Sequence, residues 1–180
     1  MIKKWKFVSR NILLRHPRLE ISEDTVELPS GKITSYVRES PVNYGSVTAI
    51  VLNDKKEILV QQEYSYPPDE IMYQLPGGKM NSNEDIIDAI NRELSEESGI
   101  VANECTVIGS YYVNNRRSDA KQYVVLCKSV EIKKRKEDDE EFIESQWIPL
   151  SLLDGIIKDG EIVNINMLAA LQLYNSYKKL

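Results

Sequence analysis

The sequence has one histidine, two cysteines and no long apolar run. Each scarcity removes a class of function. A single histidine, His16, excludes a His-pair zinc site of the His-x-x-x-His type. Cys105 and Cys127 stand too far apart in the chain for a Cys-x-x-Cys redox pair, and they are too few for a four-thiolate zinc site. Small secreted domains carry more cysteine than this, so reduced thiols in a cytoplasmic setting are expected. No apolar stretch approaches the ~20 residues of a membrane-spanning helix. The N-terminal stretch has no acidic residue before Glu20 but holds Lys3, Lys4, Lys6, Arg10, Arg15 and Arg18. Ile12-Leu13-Leu14 is too short for the apolar core of a signal peptide, which needs at least ~7 residues. The stretch therefore reads as an exposed basic strand or arm, with a transit peptide as the alternative.

What is present is acid. The 28 Asp and Glu outnumber the 23 Lys and Arg, for a net charge of −5 over 180 residues. That balance opposes general nucleic-acid coating. With histidine and cysteine scarce, any metal must be held mostly by oxygen, which favours Mg²⁺, Mn²⁺ or Ca²⁺. The length suits one domain, or one domain with a small appendage, and such a chain buries roughly 70% of its unfolded surface.

The first 44 residues or so read as β, with Thr25–Leu28 and Lys32–Arg38 flanking a turn at Pro29-Ser30-Gly31. Val47–Leu52 and Glu57–Gln62 are two further strand-like runs, and Asn53-Asp54-Lys55-Lys56 between them reads as a hairpin turn. Ile71–Leu75 is a short strand stopped by Pro76-Gly77-Gly78. A helix is expected from Ser82 as N-cap to about Ser98, with Gly99 as its left-handed terminator. Val107–Val113, Gln122–Val130 and Ile143–Ile148 read as strands, and Lys133–Glu141 as a charged mobile loop. Ile165–Tyr177 closes the pattern as a helix. The expected class is α+β, an α/β/α sandwich, with an N-terminal antiparallel arm over 1–44 and the main domain over 45–180.

The helix beginning near Ser82 carries the chemistry. At roughly 100° per residue, Ile86, Ile87, Ile90 and Leu94 form its apolar stripe. Glu93 and Glu97 fall one turn apart at the edge of that stripe, whereas solvated carboxylates would face away from it. Partly burying two like charges is costly unless a cation or donor compensates. Arg92 is the one cation on this helix, and the wheel sets it nearer Glu96 than the Glu93–Glu97 ridge. A hard divalent ion is the favoured compensation, with the Pro76-Gly77-Gly78 loop close enough to lend a carbonyl.

Gly78, Glu84, Arg92-Glu93-Leu94, Glu96-Glu97 and Gly99-Ile100 match every fixed position of the Nudix hydrolase signature at its spacing. The chain therefore resembles that family, and its β arm and Gly160-Glu161 stretch look most like the ADP-ribose pyrophosphatase branch. The resemblance implies that Glu93, Glu96 and Glu97 bind Mg²⁺ (or Mn²⁺), joined by the Gly77 carbonyl. It implies that Arg92 orients a carboxylate and that Glu84 braces the loop or holds an outer metal. The general base would be Glu96 or Glu97, or, by analogy with the ADP-ribose branch, Glu140 or Glu141 in the acidic loop. The implied reaction is hydrolysis of a nucleoside diphosphate derivative, ADP-ribose or another nucleotide sugar, by a homodimer with crossed arms. A nucleoside triphosphate pyrophosphohydrolase and a non-catalytic nucleotide sensor are the alternatives.

The branch pattern is broken in three places, where Ser65, Gln74 and Asn115 replace its usual Arg, Glu and Pro. Arg116 and Arg117 are candidates for the missing phosphate grip. Tyr64 and Tyr66, together with Tyr36, Tyr44, Tyr111 and Tyr112, offer stacking surfaces for a base. Trp147, Cys105 and Cys127 read as strand hydrophobes, and His16 as incidental. The expected partner is a small anionic nucleotide derivative, with neither nucleic acid nor membrane.

Overall fold

In the computed structural model the described residues are 1–40, 45–132 and 142–179. The expected acidic loop, with Glu140 and Glu141, and Tyr44 lie outside them. Three sheets and two long helices make up the architecture. The first sheet is an antiparallel meander of β1 (Lys6–His16), β2 (Leu19–Glu27) and β3 (Ile33–Ser40), in that order. The Pro29-Ser30-Gly31 turn is formed as expected: Leu28 N–H donates to Lys32 O at 2.9 Å and Gly31 has φ 82°. Strands on both sides of that turn run longer than the sequence suggested, and β1 itself is a full strand.

The second sheet contains β4 (Ser46–Val51), β7 (Ile100–Tyr112) and β8 (Lys121–Ile132) in the order β4-β8-β7. The third contains β5 (Glu57–Ser65), β6 (Glu70–Gln74) and β9 (Ile143–Pro149) in the order β6-β5-β9. Two helices of 13 residues each, α1 (Ile86–Ser98) and α3 (Ile165–Tyr177), cover the second sheet. A short helix α2 (Leu153–Lys158), not anticipated from the sequence, precedes α3.

Strand periodicity explains the layering. On β4, Val47, Ala49 and Val51 share a core with Ala89, Ile90 and Leu94 of α1. The alternate residue Ile50 packs in a separate core with Met167, Ala170, Leu171 and Tyr174 of α3. β8 divides in the same way, with Val125 and Cys127 toward α1, and Val124 and Leu126 toward α3. A strand buried on both faces reads as continuous aliphatic sequence, as these do. Each fully buried side chain of this kind contributes about 1.5–3 kcal/mol. The result is the expected α/β/α sandwich. Among the described residues no helix is long and apolar enough to cross a membrane.

One expectation fails in an instructive way. The Asn53–Lys56 turn forms, with Lys56 N–H donating to Asn53 O at 3.1 Å, but the flanking strands make only the Leu52–Ile58 bridge. They are not a hairpin, because both edges of β4 are already occupied. One edge pairs in parallel with β8, from Ser46–Gln122 to Val51–Cys127. The other is taken by the glycine loop: Val47 N–H donates to Gly78 O at 2.9 Å and Ala49 N–H to Pro76 O at 2.8 Å. β5 therefore leaves for the third sheet. The same two bonds hold the loop in place.

Candidate active site

Two glycines let that loop lie flat between β4 and α1. Gly77 has φ 146°, and a Cβ built there would sit 2.1 Å from Val47 O. At Gly78 a Cβ would sit 2.5 Å from Glu93 Oε1. A side chain at Gly78 would thus displace the Glu93 carboxylate, and one at Gly77 would meet the main chain of β4.

α1 begins later than expected. Asp85, not Ser82, is the N-cap and accepts from Ile87 N–H at 2.8 Å. The reason is tertiary. Glu84 is drawn away from the helix axis to Arg92 and also accepts from Asn81 N–H at 2.8 Å. At the other end Gly99 is left-handed, φ 63°, as the sequence implied.

The helix presents its acids as the wheel indicated. Glu93 and Glu97 keep only 9% and 6% of their surface exposed, beside buried Ile90 and Leu94. Glu97 Oε2 accepts from Gly77 N–H at 3.1 Å and from Gln61 Nε2 at 3.0 Å. Glu96 is more open, with 51% of its side chain exposed. Arg92 spends all its donors here. Its guanidinium forks onto Glu84 at 2.8 and 3.0 Å, reaches Glu93 Oε1 at 2.9 Å and Glu96 Oε2 at 3.2 Å, and bonds the Lys79 carbonyl at 2.9 Å. The wheel's placing of Arg92 beside Glu96 holds, and the guanidinium also reaches Glu93 at the edge of the ridge. A long side chain folding back over its own turn reaches both. The paired guanidinium holds the Glu84 carboxyl down to about 2, from an ordinary 4.5, and Arg92 is itself pushed up, chiefly by its bond to Glu84.

Three carboxylates, Glu84, Glu93 and Glu96, face one guanidinium, and Glu97 stands beside them as a fourth of this loop and helix, one turn beyond Glu93. Two of them are nearly buried on one ridge, against a loop with no side chain to fill the gap. That oxygen donor set suits a hard divalent cation. Among the described residues no group of three or more acidic, His or Cys side chains is already drawn together at ligand spacing. Glu96 is turned to Arg92.

Across the glycine loop lies a cavity of about 180 Å³ bounded by Ser46, Thr48, Gln74, Gln122, Asn164 and Asn166. Lys79 also borders it, and among the described residues no carboxylate does. Behind it Tyr111 donates to Asn166 Oδ1 at 3.1 Å, and burial pushes its hydroxyl up to about 12. Of these amides the sequence singled out only Gln74, as a departure from the branch pattern. The only signal of the others there is polarity within runs that the fold buries.

The expected substrate contacts lie elsewhere. Tyr64 donates to Asp69 Oδ1 at 2.8 Å at the end of the β5–β6 hairpin, and Tyr66 is 83% exposed at its tip. Arg116 and Arg117 tie the arm to the main sheet. Arg117 donates to Val37 O at 2.9 Å, Tyr36 donates to the Arg116 carbonyl, and the neighbouring Asp119 pairs with Arg38 at 2.7 Å. Tyr112 stacks under Lys121, 5.5 Å from ammonium to ring centre. Gln74 donates to Glu63. Cys105 and Cys127 face each other across β7 and β8 as free thiols 3.5 Å apart. His16 accepts from Arg18 N–H at 3.2 Å and Trp147 packs on the α1 core. The structure thus gathers Gly77, Gly78, Glu84, Arg92, Glu93, Glu96 and Glu97 in one place. Tyr64 and Arg117 have hydrogen bonds to other parts of the fold, Asp69 and Val37.

Known proteins resemble this chain in sequence and in fold. An ADP-ribose pyrophosphatase of Bacillus subtilis (strain 168) is 24% identical over 93% of this chain and 90% of its own. A methanol dehydrogenase activator of Bacillus methanolicus is 24% identical over 86% of this chain and 83% of its own. A crystal structure of an ADP compounds hydrolase superposes with a TM-score of 0.89 at 20% identity, covering 99% of this chain and 96% of that one. Residues 43–171 match the NUDIX domain model, well over half the chain, and with the intact helix signature and the shared fold this places the protein in the Nudix family.

Proposed function

We propose that this Nudix protein hydrolyses the pyrophosphate bond of ADP-ribose or another nucleotide sugar, giving a nucleoside monophosphate and a sugar phosphate. The observation that carries the reading is the nearly buried Glu93–Glu97 ridge under the Gly77–Gly78 loop. Similarity to the Bacillus subtilis pyrophosphatase supports the substrate class. Glu93, Glu96, Glu97 and the Gly77 carbonyl hold Mg²⁺, which Mn²⁺ can replace. When bound, such ions neutralise the dense charge of a pyrophosphate and ready a water for attack. Arg92 positions Glu93 and Glu96 through one shared nitrogen, and is itself fixed by its fork onto Glu84. Glu140 or Glu141 accepts the proton of the attacking water, with Glu96 and Glu97 as the other candidates.

The amide-lined cavity beside the loop supports a polar, uncharged end group on the substrate. Amides supply donors and acceptors together, as sugar hydroxyls require. Arg116 and Arg117 serve the substrate from the arm side, and Tyr64 and Tyr66 from the β5–β6 hairpin. Ser65 and Asn115, in place of the branch's Arg and Pro, favour a second reading, cleavage of nucleoside triphosphates. Product identity separates the two: a triphosphate releases inorganic pyrophosphate, and ADP-ribose releases two monophosphates.

The reading includes an arm over 1–44, a catalytic domain over 45–180, a cytoplasmic setting and a homodimer. Support for the dimer comes from β1. It is an edge strand exposed along all 11 residues and carries exposed Phe7, Val8, Ile12, Leu13 and Leu14. A long apolar edge of this kind is an association surface. Sedimentation at micromolar concentration is expected to give twice the chain mass of 20.7 kDa, and a monomer would contradict the arm's role.

A further inference from the structure

On β5, Ile58, Leu59, Val60 and Gln61 are buried in succession, and Gln61 has no exposed surface. A primary amide among aliphatic neighbours is unfavourable unless its polar atoms are bonded. Its Nε2 donates to Glu97 Oε2 at 3.0 Å and to Ser98 Oγ at 3.1 Å. Its Oε1 is buried without a hydrogen-bond partner among the described residues. Turning the amide over would set its carbonyl against the Glu97 carboxylate, so this orientation is the better of the two. The residue therefore carries a standing cost that an aliphatic side chain of similar size would avoid.

We infer that Gln61 is a positioning residue, which fixes the direction of Glu97 for a divalent cation. The inference rests on the reading of Glu97 as a metal ligand. Two donors, Gln61 Nε2 from β5 and Gly77 N–H from the glycine loop, converge on the same oxygen, Oε2. Pinning one oxygen from two elements sets the plane of the carboxylate and the heading of Oε1. Ser98, bonded to Gln61, also lies 3.2 Å from Ser145 Oγ, which links the amide to β9. Partners that orient a metal ligand affect metal affinity nearly as ligands do.

The test uses Gln61→Met and Gln61→Leu, which keep bulk and remove the amide, with Mn²⁺ as the probe. Free Mn²⁺ is followed by its paramagnetic resonance signal during titration, and unfolding is measured separately in EDTA. The Mn²⁺ dissociation constant should rise about 10-fold or more. The melting temperature in EDTA should stay level or increase, because an orphaned carbonyl is gone. In turnover, the Mg²⁺ concentration for half-maximal rate should rise more than kcat falls. Unchanged Mn²⁺ affinity in a folded variant would overturn the positioning role alone. Failure of both variants to fold would overturn it too, by showing the amide to be a structural need. No Mn²⁺ binding by the unaltered protein would instead remove the cation site, and the positioning role with it.

Discussion

Glu97→Gln is expected to lower kcat by about 10²-fold or more while leaving the fold intact, since removing one preorganised charge at a reacting centre has that scale. The local bonds make this substitution sharper than it first looks. Oε2 of Glu97 receives two N–H donors, from Gly77 and Gln61. A glutamine in its place must offer its carbonyl oxygen to those donors. Its NH₂ then points where Oε1 pointed, so a donor replaces an acceptor on the side meant for the cation. Stability should change little, because the two bonds to Oε2 survive. The check is kcat as a function of Mg²⁺ concentration, alongside a melting curve. A fully active variant would take Glu97 out of the metal site.

Gly77→Ala is expected to destabilise the protein by about 3 kcal/mol or more. Backbone strain at this positive φ is worth about 1–3 kcal/mol alone. The added methyl would also sit 2.1 Å from Val47 O and 2.9 Å from Thr48 Cα, both main-chain atoms that cannot step aside. Relief would require the loop to leave β4, which breaks its bonds to Val47 and Ala49 and withdraws the Gly77 N–H from Glu97. Activity and stability should therefore fall together. Gly155→Ala in α2 is the contrast: nothing lies within 4 Å of its added methyl. That change should be neutral or stabilising by about 0.4–1 kcal/mol. Thermal unfolding of the two variants checks both statements, and similar melting temperatures would contradict them.

The acidic ridge was legible in sequence because helical geometry is local. A 3.6-residue period places Glu93 and Glu97 beside Ile90 and Leu94 whatever the rest of the chain does. The left-handed end at Gly99 was legible for the same reason. What could not be read came from distant partners. The missing β4–β5 hairpin depends on β8, whose Gln122 pairs with Ser46, and on a glycine loop that closes the other edge. The late helix start depends on Arg92 pulling Glu84 out of line. Gln61 falls within the expected Glu57–Gln62 strand without any mark of its own, and only the fold turns it inward onto Glu97. Arg116 and Arg117 looked free to grip phosphate, whereas Arg117 bonds the arm strand β3.

The central claim is a divalent-metal-dependent cleavage of a nucleoside diphosphate derivative at the glutamate ridge. It is tested most directly by incubating the protein with ADP-ribose and Mg²⁺, with EDTA as control, and identifying products by chromatography. The panel extends to nucleotide sugars, dinucleotides and nucleoside triphosphates. AMP and ribose 5-phosphate in equal amounts, formed only with the metal, is the expected result. No turnover of any compound in the panel would contradict the account.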